Sequence, residues 1–314
     1  MKIQSLSIVV PTKNKCVNAC KFCVSRTHTN PYDDKISPVV KFRIESQRDN
    51  ERSRLLFERD YFNRLQFARD NGCNVIVLTG TGEPIQNLNF IRFFSEINST
   101  LTTPFKSIEI QTTGVMLNDK NLSELRQLGV TTISFSISNI FDNEKNLDLI
   151  ECKEKLKFNV FETIKLVKNH DFNLRLSLNL VNDYDAYEVE QVIARCKELG
   201  ADQVTFRKLY KSNLNGEIDK WIEDNASVSF YNKLVTYVQN NGKFLGVLPF
   251  GPSIYDIDEM SICIDDDCMA EVSKDTYKYL ILRENAKLYF RWDLKSSLVF
   301  WVNGRKKRLI YFYI

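Results

Sequence analysis

A chain of 314 residues with 43 % apolar and 26 % charged side chains has the composition of a folded globular protein, which excludes a disordered or fibrous one. Its formal charge of +3 is small for that length and spread along the chain, so a large nucleic acid is not expected as a partner. The opening "MKIQSLSIVV" is too short and too mixed for a signal peptide, and no later stretch approaches roughly eighteen uninterrupted apolar residues. A cytoplasmic setting with no membrane partner is therefore expected, where the eight cysteines stay reduced or bind metal.

Hydrophobic periodicity then gives the elements in order. Residues 5–10 read as a strand, and residues 51–71 carry apolar side chains at helical spacing, closed by Gly72. Strands are expected over 74–80, 107–114, 131–138, 173–181 and 203–209. Helices fall between and after them, over 88–98, 119–128, 159–170, 187–199 and 227–240, with Gly129 and Gly200 as stops. Such alternation calls for a parallel sheet with helices outside it, wound by right-handed crossovers. The fold class is α/β, a partial (β/α)6 TIM-like barrel, whose chemistry would sit on the loops after the C-terminal ends of the strands.

From Lys243 the pattern changes to short aromatic and β-branched runs broken by turn residues, which suggests an antiparallel, β-rich extension. The expected organisation is a barrel over 1–242 and an extension over 243–314 that caps its open side. The basic run "NGRKKRL" reads as a charged strand edge.

The loop after the first strand holds Cys16, Cys20 and Cys23, with Phe22 before the third. A four-iron cluster needs thiolate ligands, and three on one loop leave one iron open. A structural zinc site wants four ligands, and the rival reading recruits His28 to make a Cys3His site in a binding protein without catalysis. The spacing C-x3-C-x2-C, its aromatic residue and its place after the first strand resemble the cysteine motif of the radical S-adenosylmethionine (radical SAM) superfamily. "TGTGEP" after the second strand adds to this: Thr81-Gly82-Glu83-Pro84 is similar to the family's GGEP turn, with threonine in place of the first glycine.

The resemblance implies that Cys16, Cys20 and Cys23 hold a [4Fe-4S] cluster whose open iron is chelated by S-adenosylmethionine, and that Gly82 and Glu83 approach the methionine amino group. It further implies cofactor contacts from Thr112 or Thr113 in "QTTG", from Ser136 and Ser138 at the end of the fourth strand, and from Asn179 at the end of the fifth, with Arg207 a further candidate. Alternation puts Ser134, Ser136 and Ser138 on one face, and small hydroxyls inside a barrel suit a cavity. An electron from the cluster would cleave S-adenosylmethionine to a 5'-deoxyadenosyl radical, which abstracts a hydrogen atom from a small-molecule, nucleotide or peptide substrate. An external donor such as flavodoxin or ferredoxin would supply the electron. With no leader-binding domain before the first strand, a ribosomal peptide is the less expected substrate. Residues 24–50 could serve as a lid. In the tail, Cys263 and Cys268 could bind an auxiliary cluster, pack structurally or donate hydrogen to a product radical, and Cys268 is the candidate catalytic residue.

Overall fold

Six strands lie side by side in chain order, every neighbouring pair parallel: β1 (Lys2–Val9), β2 (Val75–Thr79), β3 (Ser107–Thr112), β4 (Thr132–Ile137), β5 (Asn173–Asn179) and β6 (Gln203–Arg207). They belong to a computed structural model that describes residues 2–12, 16–27, 51–212, 216–247, 252–265 and 276–299. The expected crossovers are present as helices Glu51–Asp70, Leu88–Ser99, Asp119–Gln127, Val160–Asn169 and Val189–Glu198, and Ser229–Asn241 follows β6. Besides the single turn Val24–Thr27, two longer helices were not expected. Asn143–Leu149 is short and mostly polar and starts on an Asp142 side chain that accepts from the Lys145 N–H. Glu217–Asn225 follows Gly216 and carries Ile218, Trp221 and Ile222 at helical spacing.

The tail strands enter the sheet. β7 (Lys243–Val247), β8 (Ser253–Ile257) and β9 (Met260–Asp265) form the expected antiparallel meander, but β9 then pairs in parallel with β6. At the other edge β10 (Thr276–Leu282) pairs in parallel with β1 and carries β11 (Leu288–Tyr289) antiparallel on its outer side. Parallel strands therefore run in the order β10-β1-β2-β3-β4-β5-β6-β9 within an 11-stranded sheet. A six-strand parallel sheet leaves unpaired backbone groups along both outer strands, and the tail strands satisfy them. The boundary expected after residue 242 thus separates two stretches of chain that share one sheet. The run "NGRKKRL" lies outside the described residues.

Strand sequence explains how the barrel is filled. One face of the strands is apolar and essentially inaccessible: Leu6 and Ile8, Ile76 and Leu78, Ile133 and Phe135, Leu174, Leu176 and Leu178, Phe206, Leu280 and Leu282. Against that face Phe57 and Tyr61 of Glu51–Asp70 meet Phe90 and Phe93 of Leu88–Ser99, with ring centroids 5.2 to 6.0 Å apart. Burying each such ring contributes about 1.5–3 kcal/mol, and each edge or offset pairing adds about 0.5–1.5 kcal/mol. The opposite face carries serine, glutamine, arginine and acid. Parallel sheets buried on both faces usually read as continuous apolar runs. Here the polar alternate positions mean that the lumen is not a packed core. Among the described residues no helix is long and apolar enough to cross a membrane.

Candidate cofactor and substrate site

The loop after β1 is tied down at several points. The Ala19 and Lys21 N–H groups donate to the Ile150 and Leu149 carbonyls at 3.2 and 3.1 Å, at the end of helix Asn143–Leu149. Val17 N donates to Gln86 Oε1 at 3.1 Å, and Asn87 Nδ2 donates to the Pro11 carbonyl at 2.6 Å. Phe22 packs its ring 6.1 Å from Trp221 of helix Glu217–Asn225. The two helices that the sequence reading overlooked therefore hold the cysteine loop.

Cys16, Cys20 and Cys23 are free thiols and half-buried. Backbone N–H groups of Asn18 and Glu83 face the Cys16 sulfur, whose pKa is raised by burial and by the Glu83 and Cys23 charges against them. Burial, then the other two sulfurs, pushes Cys20 well above the ordinary thiol range. Thiolates so placed are stabilised by bound positive charge. Among the described residues no three His, Cys, Asp or Glu side chains converge as ligands of a single ion. That is the geometry a zinc ion requires, with ligands about 2.0–2.3 Å from one point. A four-iron cluster takes each thiolate on a different iron, so its ligands stand further apart. His28 lies outside the described residues.

Glu83 begins the turn Pro84–Asn87 and is 3 % exposed. Its Oε2 accepts from the Thr113 backbone N–H and hydroxyl, both at 3.1 Å, and Asn18 Nδ2 donates to that hydroxyl at 2.8 Å. Burial pushes the Glu83 carboxyl up against hydrogen bonds from Thr112, Thr113 and Ile85. Glu83 Oε1 and Asn18 Oδ1 are buried with no hydrogen-bond partner among the described residues. Two acceptors left open beside a buried carboxylate suit a cation with several N–H donors, as an ammonium has. At Gly82 a Cβ would stand 2.9 Å from Thr12 Oγ1, so glycine here lets the turn press against the cysteine loop. Gly114, at φ +88°, would place a Cβ 2.1 Å from the Phe135 ring, which explains the glycine that closes "QTTG".

The other expected residues gather nearby. Thr112 is buried, and its hydroxyl accepts from Gly114 N at 2.9 Å, so it pins the turn. Asn179 Nδ2 donates to Ser136 Oγ at 3.2 Å and Ser138 Oγ at 3.1 Å, which joins the ends of β4 and β5. Asn18, Gln86 and Asn87 were not anticipated. Their only sequence signal is position, beside the cysteines or just after Glu83. Cys268 and most of the lid expected over 24–50 lie outside the described residues.

A cavity of about 470 Å3 occupies the lumen beside this cradle. Val24 and Ser25, just past Cys23, and Thr79, Gly80 and Thr81 form one part of its wall. Elsewhere it is lined by Gln111 and Arg175, by Arg207 of β6, by Cys263 and Asp265 of β9 and by Lys278 of β10. None of Glu83, Thr112, Ser136, Ser138 and Asn179 reaches it. Lys278 Nζ lies 3.5 Å from Asp265 Oδ1, joining the two tail strands across the open seam of the barrel. Strand stagger accumulates around a barrel, so a residue early in β10 can meet the last residue of β9. Burial, then the Asp265 charge, pushes the Cys263 thiol up to about 11, which keeps it neutral at ordinary pH.

A family model described as the Radical SAM superfamily matches residues 10–195. Among solved structures the fold is similar to Streptococcus suis SuiB bound to the precursor peptide SuiA, with TM-score 0.55 and 15 % identity over 91 % of this chain and 59 % of that one. SuiB bound to S-adenosylmethionine matches at 0.52 and 12 %, over 98 % and 63 % of the two chains. The structure of anSMEcpe with bound AdoMet matches at 0.57 and 13 %, over 95 % and 77 %. The chain thus spans 59 to 63 % of the length of SuiB, and at these identities the likeness is one of fold. A comparison with curated protein sequences finds no match.

Proposed function

The chain belongs to the radical SAM superfamily, whose enzymes use a [4Fe-4S] cluster and S-adenosylmethionine, and from that premise we propose which of its residues serve them. Cys16, Cys20 and Cys23 bind three irons. The observation that carries this reading is the pair of buried open acceptors, Glu83 Oε1 and Asn18 Oδ1, beside the cysteine loop. They suit the methionine ammonium of S-adenosylmethionine. When bound, cluster and nucleoside would supply one-electron reduction and hydrogen-atom abstraction chemistry.

The residues of the chain bind, orient and exclude. Glu83 accepts from the ammonium, and Thr113, itself held by Asn18 Nδ2, keeps its carboxylate in place. Gly82 keeps the turn close to the cysteine loop, and Thr112 fixes the strand end behind it. Asn179, already bonded to Ser136 and Ser138, offers polar groups to the ribose or carboxylate. The walls of the lumen keep water and stray hydrogen donors from the reacting carbon. The substrate, a small molecule, nucleotide or peptide, occupies the 470 Å3 chamber. A peptide is supported by fold likeness alone, since SuiB is seen with the peptide SuiA and anSMEcpe with the Cp18Cys peptide. A flavodoxin or ferredoxin supplies the electron, and Cys268 serves as hydrogen donor.

Anaerobic reconstitution tests the assignment. A brown protein with about four irons and four sulfides per chain, which releases 5'-deoxyadenosine from S-adenosylmethionine under dithionite, is expected. A colourless protein that takes up one zinc and leaves the nucleoside intact overturns it.

A further inference from the structure

The lumen holds more charge than the cofactor cradle uses, and most of it is paired. Arg175 is ion-paired with Glu109 and also donates to Gln203 Oε1 from Nε and Nη2 at 2.9 and 2.7 Å. Lys278 holds Asp265, Arg291 holds Asp293 at 3.0 Å, and Arg283 Nη2 donates to the Trp292 carbonyl at 2.7 Å. Arg207 differs. It ends β6 in register with Asn179 on one side and Asp265 on the other, and it lines the chamber. Among the described residues it has no carboxylate within ion-pair distance, and its Nε is buried without a hydrogen-bond partner. Asp265, its strand neighbour, is the nearest carboxylate in the register, and that carboxylate turns across the seam to Lys278.

A guanidinium cannot shed its charge by losing a proton, so a buried donor of this kind needs an acceptor from elsewhere. Its planar fork matches two oxygens of a carboxylate or phosphate. The open acceptors of the cradle, by contrast, call for a cation. The two sites are therefore opposite in sign and lie on different walls.

We infer that Arg207 seats an anionic group, a carboxylate or a phosphate, of the molecule that fills the chamber. That this molecule is the substrate rests on the proposed function; the anion site itself does not.

The test uses the full chain, both metal-free and loaded with cluster and S-adenosylmethionine. Calorimetric titration with inorganic phosphate and, separately, with glutarate should show saturable binding at one site for at least one of them. Which anion binds tells a phosphorylated ligand from a carboxylic one. Arg207→Gln should weaken that binding by at least about tenfold while S-adenosylmethionine affinity stays within about twofold. Should Arg207→Gln fail to fold, Arg207→Lys carries the test. It keeps the charge but loses the fork, and a weakening of about three- to tenfold is expected. Absence of binding by both anions in the wild type, or equal binding by wild type and variants, overturns the inference. So does a tenfold loss of S-adenosylmethionine affinity in Arg207→Gln, which would assign Arg207 to the cofactor. Failure to assemble a cluster sinks the proposed function and leaves the metal-free titration to judge Arg207. Absence of anion binding in a wild-type chain that still cleaves the nucleoside sinks this inference alone.

Discussion

The lumen has two walls built on different principles. On the wall formed by β2, β3 and the cysteine loop, polar groups belong to short motifs and hold one another, leaving Glu83 Oε1 and Asn18 Oδ1 open: Thr113 holds Glu83, Asn18 holds Thr113, and Gln86 reaches back to Val17. On the wall formed by β6, β9 and β10, single charged residues from strands far apart in the chain meet across the seam, as Asp265 and Lys278 do. The first wall is a local device that a few residues specify. The second exists only when the tail strands have joined the sheet. Under the proposed roles, the difference implies that cofactor handling and ligand choice respond to different substitutions.

Substitutions test that separation, beginning with the most severe. Cys20→Ser should abolish cluster assembly and lower 5'-deoxyadenosine release by at least about a thousandfold, read by iron content and product chromatography. Anion binding at the opposite wall should persist, and its loss would show the walls to be coupled. Gly114→Ala places a Cβ 2.1 Å from the Phe135 ring at a left-handed φ, and should cost about 3 kcal/mol in urea unfolding. Lys278→Met strands the Asp265 carboxylate, 11 % exposed, and should cost about 2–3 kcal/mol, with S-adenosylmethionine affinity unchanged within about twofold. A matching fall in cofactor affinity would break the comparison. Glu83→Gln keeps the shape but removes the charge, and should weaken S-adenosylmethionine binding by about tenfold, roughly 1.5 kcal/mol, at constant iron content.

The same contrast governs what could be read from the sequence. The six-unit barrel was legible because its outer strand faces and crossover helices carry strong apolar periodicity, with glycines at φ +85°, +84° and +78° ending three helices. The cradle was legible where residues sit inside a motif, as Cys16, Cys20, Cys23, Gly82 and Glu83 do. Thr113 could not be told from Thr112 because both have a hydroxyl at a strand end, and only the fold shows that Thr113 gives Glu83 both its N–H and its hydroxyl while the Thr112 hydroxyl also pins the turn at Gly114. The parallel joints of β9 and β10 were illegible for a different reason. A short apolar run looks the same whichever way its neighbour points, and nothing local tells Thr276–Leu282 that its partner is the first strand of the chain. Arg207 reads as a candidate cofactor contact, with a surface charge as its alternative, until the strand beside it is known.

Pairing of Lys2 with Thr276 and of Arg207 with Asp265 has a consequence for biosynthesis. A nascent chain emerging from the ribosome carries two raw edges until its late segments appear, and contacts of such long sequence separation form slowly. The backbone hydrogen bonds that tie the cysteine loop reach no further along the chain than Ile150, although the packing of Phe22 on Trp221 waits for helix Glu217–Asn225. The loop's hydrogen bonds are thus in place while both flanks of the sheet are still open to edge-to-edge pairing.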